Sequence, residues 1–197
     1  LLVLGVGALI MAYCPRYLRE GRPTRTYVLL TLFAIAMLGL VLAADLVLWF
    51  VFWELTTIAS FFLIGGTGPH SARAATRALV TTFTGGLALL AAVVLIAVET
   101  GTTYLPDILA SPELILDSPL AWPIGALLVL AAFTKSAQLP FHSWLPGAMV
   151  AITPVSAYLH AATMVKAGIY LLMRFSPMFG GQPAWQAALI TVGLATA

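Results

Sequence analysis

The sequence predicts an all-α, polytopic membrane protein built around a helix that breaks inside the bilayer. Three observations carry that expectation. Of 197 residues, 61% are hydrophobic and 8% charged, far below the roughly 25% charged residues of soluble domains. The apolar residues come in stretches of about 20, the length that crosses a hydrocarbon core. Finally, the segment from Phe133 to Arg174 sets Lys135, His142, His160 and Lys166, together with Pro140 and Pro146, in surroundings otherwise fit for lipid. An ionisable group at membrane depth is costly and points to ion movement. A broken helix is tolerated there only where its freed backbone faces protein or water.

The elements follow in order. Residues 1–13 read as the tail of one span. From Tyr27 to Ile64 only Asp45 and Glu54 are ionisable. At about 1.5 Å per residue that run is too long for one crossing. It divides near Ala43-Ala44-Asp45 into spans over 27–43 and 46–65. Further spans are expected over 77–98, over 119–150 with the break, and over 154–174, and another begins near Ala184. The chain opens and closes inside apolar runs, with no initiator Met and no basic, cleavable leader. It therefore reads as an internal piece of a longer protein in three parts: 1–26, the end of a span plus an Arg-rich loop; 27–174, a five-helix unit; and 175–197, a loop and the start of a further span. The lone Cys14 excludes an internal disulfide.

Charge in the loops sets an orientation. The 14–26 loop holds Arg16, Arg19, Arg22 and Arg25, and the 65–77 loop holds Arg73, Arg77 and a surface His70. Between 99 and 118 there are only Glu99, Asp107, Glu113 and Asp117. Basic residues gather in short cytoplasmic loops, so the two Arg-bearing loops are expected inside and the acidic loop outside. Arg174 alone falls on the wrong side. Five crossings between Tyr27 and Arg174 is an odd number, so a second copy of the unit would start from the opposite face. That is the arithmetic of an inverted repeat with ion sites at broken helices, of which this chain would hold one half.

Each charged residue at depth has a functional and a structural reading. Glu54, central in the 46–65 span, is an ion-pair partner for a lysine or a protonated acid packing between helices. Lys135 follows a charge-free run from Leu120 to Thr134; Gln138, three residues on, is expected on nearly the same helical face, before Pro140. Pro140 removes a helix donor and clashes one turn back, freeing carbonyls and admitting water beside the lysine; the alternative is a lysine snorkelling to the interface. His160 and Lys166 lie six and twelve residues past Pro154, about 120° apart on a regular helix. They could line one aqueous seam, or His160 could donate to a backbone carbonyl. His142, in the 140–146 break, could shuttle protons or cap that break. Thr56, Thr57, Ser60, Ser156 and Thr163 are expected to bond helix carbonyls or neighbouring helices. Burial favours a neutral lysine and a nearby carboxylate a charged one. A carboxylate that approaches and withdraws can therefore make a lysine hold and release a proton, with the groups titrating as a set.

Three stretches, VFWELTTIASFFLIG, FTKSAQLPFHSWLPGAM and TPVSAYLHAATMVKAGIYLL, resemble the antiporter-like membrane subunits: the large subunits of Mrp-type multisubunit Na⁺/H⁺ antiporters and the proton-pumping membrane subunits of respiratory complex I. The resemblance runs from about Val41 to Arg174. It implies two inverted five-helix units with broken helices, this chain holding the first. It also implies that Glu54 and Lys135 are the family's glutamate and broken-helix lysine, and His160 and Lys166 its connecting histidine and bridging lysine. SAYLHAATMVKAG is more similar to the large Mrp protein, because the distal complex I subunit tends to have threonine at the place of Lys166. Two departures stand out. The family's Ala-Pro-Thr-Pro is here Ala151-Ile152-Thr153-Pro154, and an acidic residue common near Val150 is absent.

The implied function is a subunit exchanging protons for Na⁺ or another monovalent cation within a hetero-oligomer in a bacterial plasma membrane, with Glu54, Lys135, His160, Lys166 and His142 as the relay. A proton-translocating arm of complex I or a related membrane-bound hydrogenase is the alternative, and a purely structural scaffold is the third reading. No flavin, nicotinamide, quinone or metal motif is present, so no cofactor, no redox chemistry in this chain and no nucleic-acid partner are expected. The partners expected are other antiporter subunits, protons, monovalent cations and the lipid bilayer.

Overall fold

The computed structural model describes residues 2–17, 23–66 and 69–197, with the backbone alone for Arg16, Tyr17, Pro23, Pro69 and His70. Arg19 and Arg22 of the first basic loop therefore lie outside the described residues, as do the side chains of Arg16 and His70. Helices dominate: α1 Leu2–Tyr17, α2 Pro23–Leu42, α3 Leu46–Gly65, α4 Pro69–Thr100, α5 Leu105–Ala110, α6 Glu113–Leu116, α7 Ala121–Lys135, a 3₁₀ turn Phe141–Ser143, α8 Trp144–Ala148, α9 Thr153–Ser156, a π-helical segment Ala157–Thr163, α10 Met164–Phe179 and α11 Pro183–Thr196. The expected all-α class holds. Thr24–Leu42, Leu46–Gly65, Ser71–Thr100 and Thr153–Phe179 are long and apolar enough to cross a membrane, and Ala121–Lys135 is the apolar first half of the broken span.

The split of the long apolar run occurs at Asp45, for a reason visible in its bonds. Its carboxylate accepts from the amides of Val47 and Leu48, both at 2.9 Å. It thus satisfies two of the donors that the first turn of α3 leaves free. It also accepts from the Thr103 hydroxyl. Two backbone bonds flank it, Leu46 N to Thr103 O at 2.9 Å and Leu105 N to Ala44 O at 2.8 Å, so the α2–α3 turn and the loop after α4 form a small antiparallel bridge. These two loops therefore share one end of the bundle. At the other end, Arg77 Nη2 donates to Ser143 Oγ at 2.9 Å, and a side chain on Gly66 would lie 3.2 Å from the Arg25 guanidinium. The basic and acidic loops thus lie at opposite ends, as the count of crossings requires.

The spanning helices pack in chain order, α2 on α3, α3 on α4, α4 on α7 and α7 on α10, and α10 returns to α2. Polar side chains hold the closure. Tyr170 Oη donates to Val41 O at 2.8 Å and Tyr158 Oη to Val3 O at 2.9 Å. Side-chain bonds of this kind to carbonyls of a neighbouring helix are the usual polar cement between helices in lipid. Trp49 lies between Tyr170 and Phe175, at 5.5 and 6.3 Å. Arg174 sits over the same ring at 5.9 Å, near the acidic end, with its charge on aromatic faces.

Two expectations are corrected by geometry. The helix carrying Lys135 does not run on to Gln138. It stops at Lys135, with Gln138 N bonded back to Phe133 O at 2.9 Å and Ala137 N to Thr134 O at 3.4 Å. This is the Schellman closure, which normally places glycine in the left-handed position. Here Ala137 occupies it at φ +52°, a conformation costing roughly 1–2 kcal/mol for an L-residue. The second correction concerns His160 and Lys166. The π-helical segment winds the chain wider than an α-helix just before α10, so the regular 120° offset does not apply.

The Thr103 hydroxyl first, and then the Leu48 and Val47 amides, hold the Asp45 carboxyl below the usual carboxylate range. A group so lowered stabilises the fold above the ordinary aspartate pKa and stops doing so as pH falls through its own. Asp45→Ala is expected to cost roughly 0.5–2 kcal/mol, the usual worth of a cap, and Asp45→Asn less. Thermal unfolding at pH 7 and at successively lower pH checks this: the gap between the wild type and Asp45→Ala is full at the higher pH and narrows as pH falls through the lowered Asp45 pKa.

Candidate functional site

The broken end of α7 delivers a lysine to the centre of the bundle. Lys135 is the last residue of α7 and is fully buried. Fifteen residues of helix from Ala121 reach only about 22 Å, short of the hydrocarbon thickness, so the ammonium group ends within the membrane. Its Nζ donates to Trp53 O at 3.0 Å and to Thr57 Oγ1 at 2.7 Å, and it lies 5.0 Å from the centre of the Trp53 ring. The Trp53 carbonyl also accepts from the hydroxyls of Thr56 at 2.7 Å and Thr57 at 3.2 Å. One turn of α3 is thereby built into a seat for a cation. An ammonium carries three donors, and two are placed.

Glu54 is the next residue on that turn and is also buried. Its carboxylate does not form the expected direct bond with Lys135, since neither oxygen has a hydrogen-bond partner. It sits instead in the space left by Gly86, where a side chain on α4 would overlap the carboxylate. The neighbouring Gly85 leaves the same kind of space for Thr134 on α7. A bare glycine pair in α4 thus lets α3 and α7 approach with their polar groups inward. Both groups are buried, and opposite charges attract more strongly in such surroundings than in water.

His160 forms the far side. It is buried in the π-helical segment with neither ring nitrogen hydrogen-bonded, so the carbonyl bond that a structural histidine would make is absent. Its ring meets Trp144 edge-to-face at 6.0 Å. Trp144 in turn donates its indole N–H to Thr134 O at 2.9 Å, the residue before Lys135. Ser136 Oγ donates to Val165 O at 2.7 Å, and Gly168 lets α10 close against Ala132 and Ser136. The π-helical segment and the helix break are therefore clamped together.

The structure brings Glu54 and Lys135 together and links His160 to them through Trp144. It does not bring in Lys166, which is exposed on α10, or His142, which is exposed in the 3₁₀ turn. Among the described residues no group of three His, Cys, Asp or Glu side chains could hold a metal ion. Lys135 is held by two hydrogen bonds with its third donor unplaced, while the Glu54 oxygens and the His160 ring nitrogens have no fixed partner, an arrangement chemically able to exchange protons. Trp53, Trp144, Gly85 and Gly86 do not stand out in the sequence by charge or by proline. The signal that could have found the glycine pair is two adjacent residues without side chains in mid-span.

The membrane-domain model described as NADH:quinone oxidoreductase/Mrp antiporter matches residues 43–197. The chain belongs to this family. Its similarity extends over 99% of the chain, at 46% identity, to a probable K(+)/H(+) antiporter A/B protein of Rhizobium meliloti, and over 100%, at 45% identity, to a putative antiporter protein, mnhA2, of Staphylococcus aureus. It superimposes on one chain of the Mrp complex from Dietzia sp. DQ12-45-1b with a TM-score of 0.94 and 55% identity over 98% of its length. A membrane-bound sulfane sulfur reductase, an archaeal respiratory complex, shares the fold at a TM-score of 0.73 and 24% identity over 88% of the chain. The chain spans 20% and 25% of the two curated relatives, 22% of the Dietzia chain and 27% of the reductase chain. Within this family's architecture, the packing of Glu54 on Gly86 makes a direct test. Gly86→Ala is expected to collide with the Glu54 carboxylate and destabilise the protein by roughly 1–3 kcal/mol, the usual cost of overpacking, read as a lowered thermal-unfolding midpoint. Gly193→Ala, where an added methyl meets nothing, leaves the midpoint unchanged.

Proposed function

We propose that the chain is the proton-handling half of a monovalent cation/proton antiporter subunit within a multisubunit complex of a bacterial plasma membrane. The observation that carries the proposal is the buried pair of Lys135 and Glu54 at a helix break, with the carboxylate unpartnered. A pair built only for stability would be bonded, because an unpaired buried charge costs several kcal/mol. In this account Glu54 swings from Gly86 toward Lys135 and steadies the ammonium, then withdraws and releases its proton. His160 carries the path onward, its ring positioned by Trp144, whose indole N–H stays bonded to Thr134 O. Lys166 continues the path from the exposed side of α10, and His142 lies at the basic end, taken here as the cytoplasmic one. Moving one charge through 100 mV involves about 2.3 kcal/mol, a magnitude that one ion pair made or broken can supply.

Sodium is the cation proposed. The relatives' names support an antiporter over a redox-driven pump, and the Rhizobium name includes potassium for that protein. Lys135→Ala and Glu54→Ala are each expected to reduce cation-driven proton flux to the level of empty vesicles while the complex persists. Wild-type rates in either variant remove that residue from the mechanism. Lys166→Ala is expected to reduce flux more than His142→Ala. Proton flux on the whole complex, driven in turn by Na⁺ and K⁺, identifies the cation, and flux that needs neither cation favours the redox-linked alternative.

A further inference from the structure

The outward face of α4 carries a feature that the proton path does not use. Arg73 and Arg77 are exposed there, four residues and so about one turn apart. Between and beside them lies a shallow depression of about 520 Å³, lined by Ala72, Arg73, Thr76, Arg77, Val80 and Thr81. Its floor is low because Ala72 is small and the Thr76 hydroxyl folds back onto Ala72 O at 2.9 Å. Arg77 gives one donor to Ser143, which fixes its guanidinium; a guanidinium has five donors, so four are left.

No aspartate or glutamate occurs between residues 55 and 98, or beyond 117. The packed neighbours of this face, α3, α7 and α8, thus offer the two guanidinium groups no carboxylate, apart from the buried Glu54 on α3. Toward the other end of α4 the same surface continues as exposed apolar residues, Val80, Phe83, Leu87, Val94 and Val98, at helical spacing. From Arg77 to Val98 is about 31 Å along the helix, the thickness of the hydrocarbon core. The arginine pair therefore stands where that core ends and headgroups begin.

We propose that the Arg73–Arg77 depression binds the phosphate of an anionic phospholipid, with its acyl chains along Val80, Phe83 and Leu87. Charge and geometry choose this occupant. Guanidinium groups pair with phosphate through several N–H donors, and a basic cluster at headgroup depth attracts anionic lipid. The apolar stripe then receives the chains attached to that phosphate. Because Arg77 also holds Ser143, the bound headgroup bears on the turn that follows the Lys135 break.

The test uses the full purified complex, stripped of lipid and titrated with phosphatidylglycerol or phosphatidylcholine, with bound lipid counted by native mass spectrometry. The wild type is expected to retain phosphatidylglycerol preferentially. Arg73→Gln/Arg77→Gln is expected to bind it about 30-fold more weakly, and Arg25→Gln, at the same end of the bundle, to bind it normally. Arg73→Gln alone, which leaves the Ser143 bond intact, is expected to lose part of the preference and serves should the double variant not assemble. Unchanged retention in the arginine variants overturns the proposal. So does equal retention of the zwitterionic lipid, or displacement of the lipid by inorganic phosphate at equal concentration, which would make the site one for a free anion.

Discussion

The interior depends on one ammonium group held in low dielectric without a bonded counter-ion. Lys135 is fully buried, yet its hydrogen bonds go to a carbonyl and a hydroxyl of α3 rather than to the carboxylate next in sequence. Neutral dipoles can seat a lysine without locking its proton as a direct salt bridge would. That requirement shapes the surroundings. Thr56 and Thr57 bond to the Trp53 carbonyl, the Trp53 ring faces the charge, and α7 stops at the lysine in a closure that places an alanine at positive φ. Backbone strain at such a point is characteristic of functional sites and persists because the packing around it is over-determined.

The helices beyond the lysine maintain this arrangement from three sides. On α4 the Gly85–Gly86 pair makes room for Thr134 and Glu54. On the opposite side Ser136 and Gly168 bind the break to α10, and Trp144 fills the volume between Thr134 and His160. The π-helical segment follows from the same demand. A wider turn, with Thr163 Oγ1 donating five residues back to Tyr158 O at 2.7 Å, holds His160 inward while Lys166 stays exposed. Asp45 and Thr103 anchor the N-terminal end of α3, so the seat on that helix is fixed along its axis.

Much of this was legible in the sequence, and the parts that were not have physical causes. Hydropathy and two prolines located the spans and the break, because lipid forces long apolar runs and a proline removes a helix bond. Glu54 and Lys135 stood out because charge is rare at depth. Their lack of a direct bond was not legible, since it depends on which side of α3 each group faces and on space left by glycines on a third helix. The His160–Lys166 relation failed for a related reason: sequence spacing assumes an α-helical turn, and a π-helical segment has no simple residue signature. Thr57 was expected to bond helix carbonyls, as it does, but its second role as the lysine's acceptor arises only from the tertiary approach of α7.

The central claim is that Glu54 and the seat of Lys135 act as one coupled unit. A double-variant cycle of cation-driven proton flux tests it directly, using changes that keep both charges: Glu54→Asp, which draws the carboxylate back, and Thr57→Val, which removes one acceptor of the ammonium. Coupled groups depart from additivity by roughly 0.5–3 kcal/mol, so the flux of the double variant should differ from the product of the single effects by about twofold or more. A double variant whose flux equals that product would contradict the account.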